Sequence, residues 1–139
     1  MNTNINNTLS KKENINKKVI AFFNIEKYTS NIKCVTEEVI LFEERKKHII
    51  DKHPEVKKYI HKLPEIINNP DIILQELKRK DTIWLFKIYK ENVKVTLKLS
   101  NNKHFKSSVI QMQLMRTKEI KRNIRNNKVK VILDKKIKK

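Results

Sequence analysis

The alternation of apolar and polar positions is clearest in the middle of the chain. Over residues 93–99, Val93, Val95, Leu97 and Leu99 alternate with Lys94, Thr96 and Lys98. That is the period of a strand with one buried face and one polar face. Residues 82–89 (TIWLFKIY) are β-branched and aromatic and predict a buried strand, joined to the next by a tight turn at Glu91-Asn92. Lys87 interrupts the face that carries Ile83, Leu85 and Tyr89. It either snorkels at a sheet edge or points into a cleft. Residues 108–115 predict a further strand in which Gln111 and Gln113 share the polar side with Lys98. Ser108 has the opposite parity and reaches that side only across a β-bulge. Strand-like runs at 72–77 and 129–133, with shorter ones at 18–25, 32–36 and 39–42, complete the β content.

Helical patterning lies mostly before these strands. Residues 43–53 (EERKKHIIDKH) open on two acids and close on cations, which suits the helix dipole, and Pro54 marks the stop. Residues 55–68 carry Val56, Tyr59, Ile60, Leu63, Ile66 and Ile67 at helical spacing, with Pro64 expected to kink or split the helix. A short basic helix at 116–125 precedes a turn at Asn126-Asn127. Two N-terminal helices followed by an antiparallel meander predict an α+β domain at 18–133. Residues 1–17, polar and Asn-rich, predict a disordered leading segment, and 134–139 a basic tail.

Charge narrows the function. The chain has 33 Lys and Arg against 15 Asp and Glu, a formal net charge of +18. Residues 103–139 alone carry 13 Lys and Arg against two acids, Glu119 and Asp134. Such a field attracts phosphate backbones and releases their counterions. Lys94, Lys103, His104, Lys106, Arg116, Lys118, Arg122 and Arg125 are the candidates for nucleic-acid contact. No apolar run approaches the roughly 18 residues of a membrane span, and the N-terminal residues lack the apolar core of a secretory signal. The single cysteine, Cys34, allows no intramolecular disulfide and reads as a lone core thiol, so a cytoplasmic location is expected.

The candidate chemistry is selected partly by what is missing. The four histidines have no cysteine partners and no HExxH spacing, the acids are scattered, and glycine is absent, which removes the usual phosphate-cradling loop. Neither a metal nor a cofactor is expected. A His, Lys and Arg constellation remains, and RNA supplies its own nucleophile in the 2′-OH. Cleavage then needs a base, an acid and cations for the developing phosphorane. Arg45 and His48, three apart, share a helix face. His48 and His53 are five apart, roughly 140° around a helix, and converge only if the chain turns at His53. By pattern alone His48 is open to either reading, catalytic base or core and capping histidine. His61 reads as a surface residue.

The order of these pieces, with ERKKHIIDKHPE, NNPDII and the shorter FKSSVIQ, resembles the phage-encoded branch of the barnase, EndoU, colicin and RelE-like nuclease superfamily over residues 18–133. The resemblance implies a four-stranded antiparallel sheet with the N-terminal helices packed on one face. It implies metal-independent RNA cleavage, of tRNA among other candidates, through a 2′,3′-cyclic phosphate. Carried onto this chain, Arg45, His48 and His53 match the helix block and Ser108 the strand serine. Lys87 and Lys98 stand where the family often places a lysine. Gln111 replaces an expected threonine, and a glycine and lysine expected near the first strand are replaced around Ala21 to Asn24, departures that would fit a weakened enzyme. His48 is the expected base and His53 the acid or phosphate ligand. Arg45, Lys98 and Lys87 would stabilise charge, with Ser108 and Gln111 positioning RNA. The alternatives are a non-catalytic nucleic-acid-binding module and a toxin held by a protein antitoxin or immunity partner in the cytoplasm of a bacterial host.

Overall fold

The computed structural model describes residues 18–135. The segments expected as a disordered lead (1–17) and, beyond Lys135, as a basic tail lie outside the described residues. Seven strands form one sheet: β1 (Val19–Phe22), β2 (Glu38–Ile40), β3 (Ile72–Glu76), β4 (Thr82–Ile88), β5 (Asn92–Lys98), β6 (Ser107–Leu114) and β7 (Val129–Asp134), in the order β1-β2-β6-β5-β4-β3-β7. The helices are α1 (Glu43–Lys52), α2 (Leu63–Asn68) and α3 (Thr117–Arg125), with a long 3-10 segment, Pro54–Lys62, between the first two.

The chain is α+β, but the expected four-stranded antiparallel sheet is not what it forms. The meander β3–β6 is present and antiparallel, and both of its edges are extended. β7 returns to pair with β3. On the other side β2 pairs with β6 in parallel, Val39 opposite Ser107 and Ile40 opposite Ser108, and β1 pairs antiparallel with β2. An exposed edge of unpaired backbone groups recruits whatever extended chain lies beside it. Neither short run carries a pattern that announces this pairing.

Helices cover both faces of the sheet, not one. α1, the 3-10 segment and α2 place Ile49, Val56, Leu63, Ile66 and Ile67 against one face, on Ile73, Ile83, Leu85, Val95 and Met112. α3 covers the opposite face, its Ile120 packed with Ile72, Leu74, Trp84, Phe86 and Val129. The meander is therefore buried on both sides. The face expected to be open and polar contains Lys94 and Thr96, which are 4% and 3% exposed.

Local chemistry explains the remaining departures. Residues 32–36, expected as a strand, do not pair into the sheet. The Cys34 amide donates instead to Glu26 Oε2 at 2.6 Å and its thiol to the Thr36 carbonyl at 3.4 Å. Cys34 is half-buried and packs against the margin of the main core, and desolvation, with Glu37 and Glu26 nearby, pushes its thiol pKa up. Pro64 stands in the first turn of α2, which follows a 3-10 segment, so the helix expected over 55–68 is split as its sequence suggests. With no glycine in the chain, the tight turn into β7 uses Asn127 at φ 57, a conformation asparagine tolerates. Tyr59 and Tyr89 stack at 5.4 Å between centroids and donate to Glu91 and Glu65 at 2.9 and 2.6 Å. The first bond ties the 3-10 segment to the β4–β5 turn, and the second ties α2 to the end of β4.

Asp71 fixes the start of β3. Its Oδ2 accepts from the Ile88 amide at 2.8 Å, and its Oδ1 faces Lys87 Nζ at 3.7 Å. Asp71→Ala leaves the Ile88 amide without its acceptor and the largely buried Lys87 ammonium without its counter-charge, with only the Asn69 carbonyl remaining to it, so a loss of about 3 kcal/mol is expected, measured as a lower urea midpoint at unchanged m.

Candidate nucleic-acid cleft

The site begins with an irregularity in β6. Leu97 lies opposite Val109, but Thr96 lies opposite Gln111, so Ile110 is an extra residue. The bulge reverses parity. It puts Ser108 beside Lys98 and Gln111 beside Thr96 on one face of the sheet, while Val109 and Met112 both enter the core on the other. This is the condition under which Ser108 reaches the polar side.

Beyond its short pairing with β2, β6 runs beside α1, whose Ile49 enters the core while its Arg45 and His48 side closes a cleft of about 300 Å³ with Thr96 and Gln111. Arg45, His48, Lys52 and His53 line it from the helix, Thr96, Ile110 and Gln111 from the strands, and Glu76 and Arg79 from the end of β3. The two histidines share the cleft because His53 is no longer helical. It follows the last turn at φ −132 and ψ 69, its amide donating to the Ile49 carbonyl at 2.8 Å. His53 Nδ1 is 3.2 Å from Glu55 Oε2. That contact orients the ring and leaves Nε2 for a ligand.

The floor is a buried polar network. Glu76 accepts from Trp84 Nε1 at 2.7 Å and from Arg79 Nε at 2.8 Å. Lys94 Nζ lies 3.7 Å from the centroid of the Trp84 ring and donates to Gln111 Oε1 at 3.4 Å. Thr96 Oγ1 donates to the same oxygen at 3.2 Å. With Oε1 occupied, the Gln111 amide nitrogen is the donor left to a ligand. Burial pushes the Lys94 pKa down to about 8; Glu76 opposes that shift and Arg79 adds to it. Burial and a nearby charge network thus meet at one lysine beneath the cleft.

The residues singled out in the sequence separate into four places. Arg45, His48, His53 and Gln111 meet in the cleft, with Lys94 beneath. Lys98 and Ser108 lie on the same sheet face, in a neighbouring depression with Lys106. Lys87 is on the opposite face, donating to the Asn69 carbonyl at 2.8 Å and facing Asp71, and does not line the cleft. Lys103 and His104 are exposed on the β5–β6 loop, Arg116 precedes α3, and Lys118, Arg122 and Arg125 are exposed on α3. Sequence reasoning missed Glu76, Arg79, Lys52 and the contact of Trp84 with Lys94. The run 72–77 shows only a strand, and nothing in it signals that Glu76 would organise a cleft floor.

Burying the Lys94 charge has a cost that depends on pH. The folded state holds this proton less tightly than the unfolded chain, whose lysine titrates near 10.4. Between about pH 8 and that value the unfolded state binds more protons, so this group's contribution to stability rises with pH. Lys94→Met is expected to be more stable than the wild type by on the order of 2 kcal/mol at pH 7, an advantage that fades by pH 10. Urea unfolding of both proteins at the two pH values measures it, and equal stabilities at pH 7 would contradict it.

Comparison with protein-family models, with curated proteins and with solved structures gives no match.

Proposed function

We propose that this protein is a ribonuclease whose substrate 2′-OH attacks the adjacent phosphate, leaving a 2′,3′-cyclic phosphate and a 5′-OH. The observation that carries the reading is the meeting of Arg45, His48 and His53 with the buried Lys94–Gln111 pair in one cationic cleft. The resemblance carried by residues 43–56 points the same way, although the sheet layout it implied does not hold.

In this reading His48 takes the 2′-OH proton and His53, oriented by Glu55, returns one to the departing 5′-oxygen. Arg45 supplies a planar two-pronged donor to the phosphate oxygens. Lys94 supplies positive charge from a partly desolvated floor, where it acts on the phosphorane more strongly than a surface lysine would. The Gln111 amide positions a phosphate oxygen. Glu76, committed to Trp84 and Arg79, holds the floor rigid. Lys98 and Ser108, expected in the catalytic group, are assigned instead to substrate binding next door. The exposed cations of the β5–β6 loop and α3 hold the flanking polyanion. A cytoplasmic location is part of the proposal; among the described residues no helix is long and apolar enough to cross a membrane.

The test is incubation with total RNA and with bulk tRNA in EDTA, beside His48→Ala. Loss of the general base is expected to lower the rate by about 10²- to 10⁴-fold without changing the urea midpoint, since His48 is exposed. Products of the wild type should end in a cyclic phosphate. Absence of cleavage by both proteins, with salt-sensitive binding by both, would leave a binding module and remove the enzyme.

A further inference from the structure

The strongest feature outside the cleft is the loop between β5 and β6. Phe105 at its tip is 64% exposed, the most exposed of the large hydrophobic side chains among the described residues. The loop is not loose. Ser100 Oγ donates to the Asn102 carbonyl at 2.6 Å, and the Ser100 amide donates to Ser107 Oγ at 3.1 Å across the base of the loop. Asn102 Oδ1 accepts from the His104 amide at 2.8 Å, and the Phe105 amide donates to the Asn102 carbonyl at 2.9 Å. These bonds tie the backbone on both sides of Phe105, and its ring stands exposed on that frame.

Its surroundings are cationic. Phe105 lines a depression of about 300 Å³ together with Lys98, Lys106 and Ser108, while Lys103 and His104 are exposed on the same loop. The carboxylate there, Asp81, accepts from the Thr82 hydroxyl at 3.1 Å, and Lys106 contacts Glu38 at 2.6 Å. Lys98 has no ion pair with any described residue. Position along the sheet is the second observation. Lys98 and Ser108 face each other across β5 and β6, and Thr96 and Gln111 are the next pair on the same face. The depression and the cleft are therefore neighbours on one surface, separated by two residues of β5, roughly 7 Å. That step is on the scale of one nucleotide of extended chain.

We infer that the Phe105 depression is a binding subsite for single-stranded RNA, in which Lys98 and Ser108 hold a phosphate flanking the one in the cleft and Phe105 stacks on the next base. The inference deepens the ribonuclease reading and rests on it for the identity of the polyanion. A sequence-tolerant stacking platform beside a cationic groove is how proteins hold single strands. It makes the substrate an unpaired segment several nucleotides long rather than a dinucleotide or a duplex, because a paired base offers no free face to Phe105.

The experiment uses 2′-O-methyl oligonucleotides, which lack the nucleophile and so report binding apart from cleavage. Wild type is expected to bind a tetranucleotide more tightly than a dinucleotide. Phe105→Ala should remove about tenfold of that gain while leaving dinucleotide affinity unchanged. Lys98→Ala should lower the slope of log affinity against log salt by about 0.7 for the tetranucleotide. No gain on extension, or a gain that survives Phe105→Ala, overturns the subsite and leaves cleavage of ordinary RNA to stand or fall by itself. A polyglutamate peptide of equal charge binding as tightly as the tetranucleotide, with the same dependence on Phe105, would assign the surface to an acidic protein partner and also overturn it. Extension gain lost in Phe105→Ala, in a protein that cleaves no RNA, would uphold the subsite while removing the nuclease.

Discussion

The extra residue in β6 is the constraint on which both sides of the sheet depend. Side chains on a strand alternate with a period of two, so one inserted residue exchanges the faces of everything beyond it. Because Ile110 is inserted, Val109 and Met112 both enter the helix-side core, where they are 1% and 0% exposed. The same insertion places Ser108 and Gln111 together on the opposite face, against Lys98 and Thr96. Without it, either Met112 would leave the core or Gln111 would enter it unpaired. Core packing and cleft composition are thus two consequences of one register choice.

The cleft floor is a compromise between stability and charge. A lysine that is 4% exposed loses hydration that the Trp84 face and the Gln111 carbonyl replace only in part. Glu76 keeps the ammonium favourable but is itself shared between Trp84 and Arg79. The result is a cation near its titration point, held rigidly beneath a helix that contributes Arg45, His48, Lys52 and His53. A core built only for stability would place an apolar residue at this position. A polar network retained at such a cost fits a site that must meet an anion.

The edges of the sheet show how far local pattern reaches. β4, β5 and β6 are long, strongly patterned strands, and the structure forms each within a residue of its sequence bounds. β1 and β2 are four and three residues long and gain their identity from the edge of β6. The parallel pairing of β2 with β6 brings Phe42 and the start of α1 to the side of the bulge. That is how a helix encoded some 60 residues earlier comes to face Gln111.

The sequence by itself determined α1 and the strands of the meander and set out the candidate residues. Helical spacing, the acidic start and Pro54 defined α1, alternation defined β5, and the charge imbalance is what the proposal of a polyanionic partner rests on. It also brought Arg45, His48 and His53 into one candidate set, and His53 joins the others in the cleft because Pro54 ends the helix there. Tertiary structure alone decided the seven-stranded mixed sheet, the position of α3 on the second face and the burial of Lys94. It also moved Lys87 away to pair with Asp71 and joined Glu76, Arg79 and Trp84 to the cleft floor. The physical reason is one of range. Periodicity, capping and proline geometry act within a few residues and are written along the chain. Edge pairing, bulge register and the desolvation of a charge depend on what lies across the sheet, and nearby sequence does not record it.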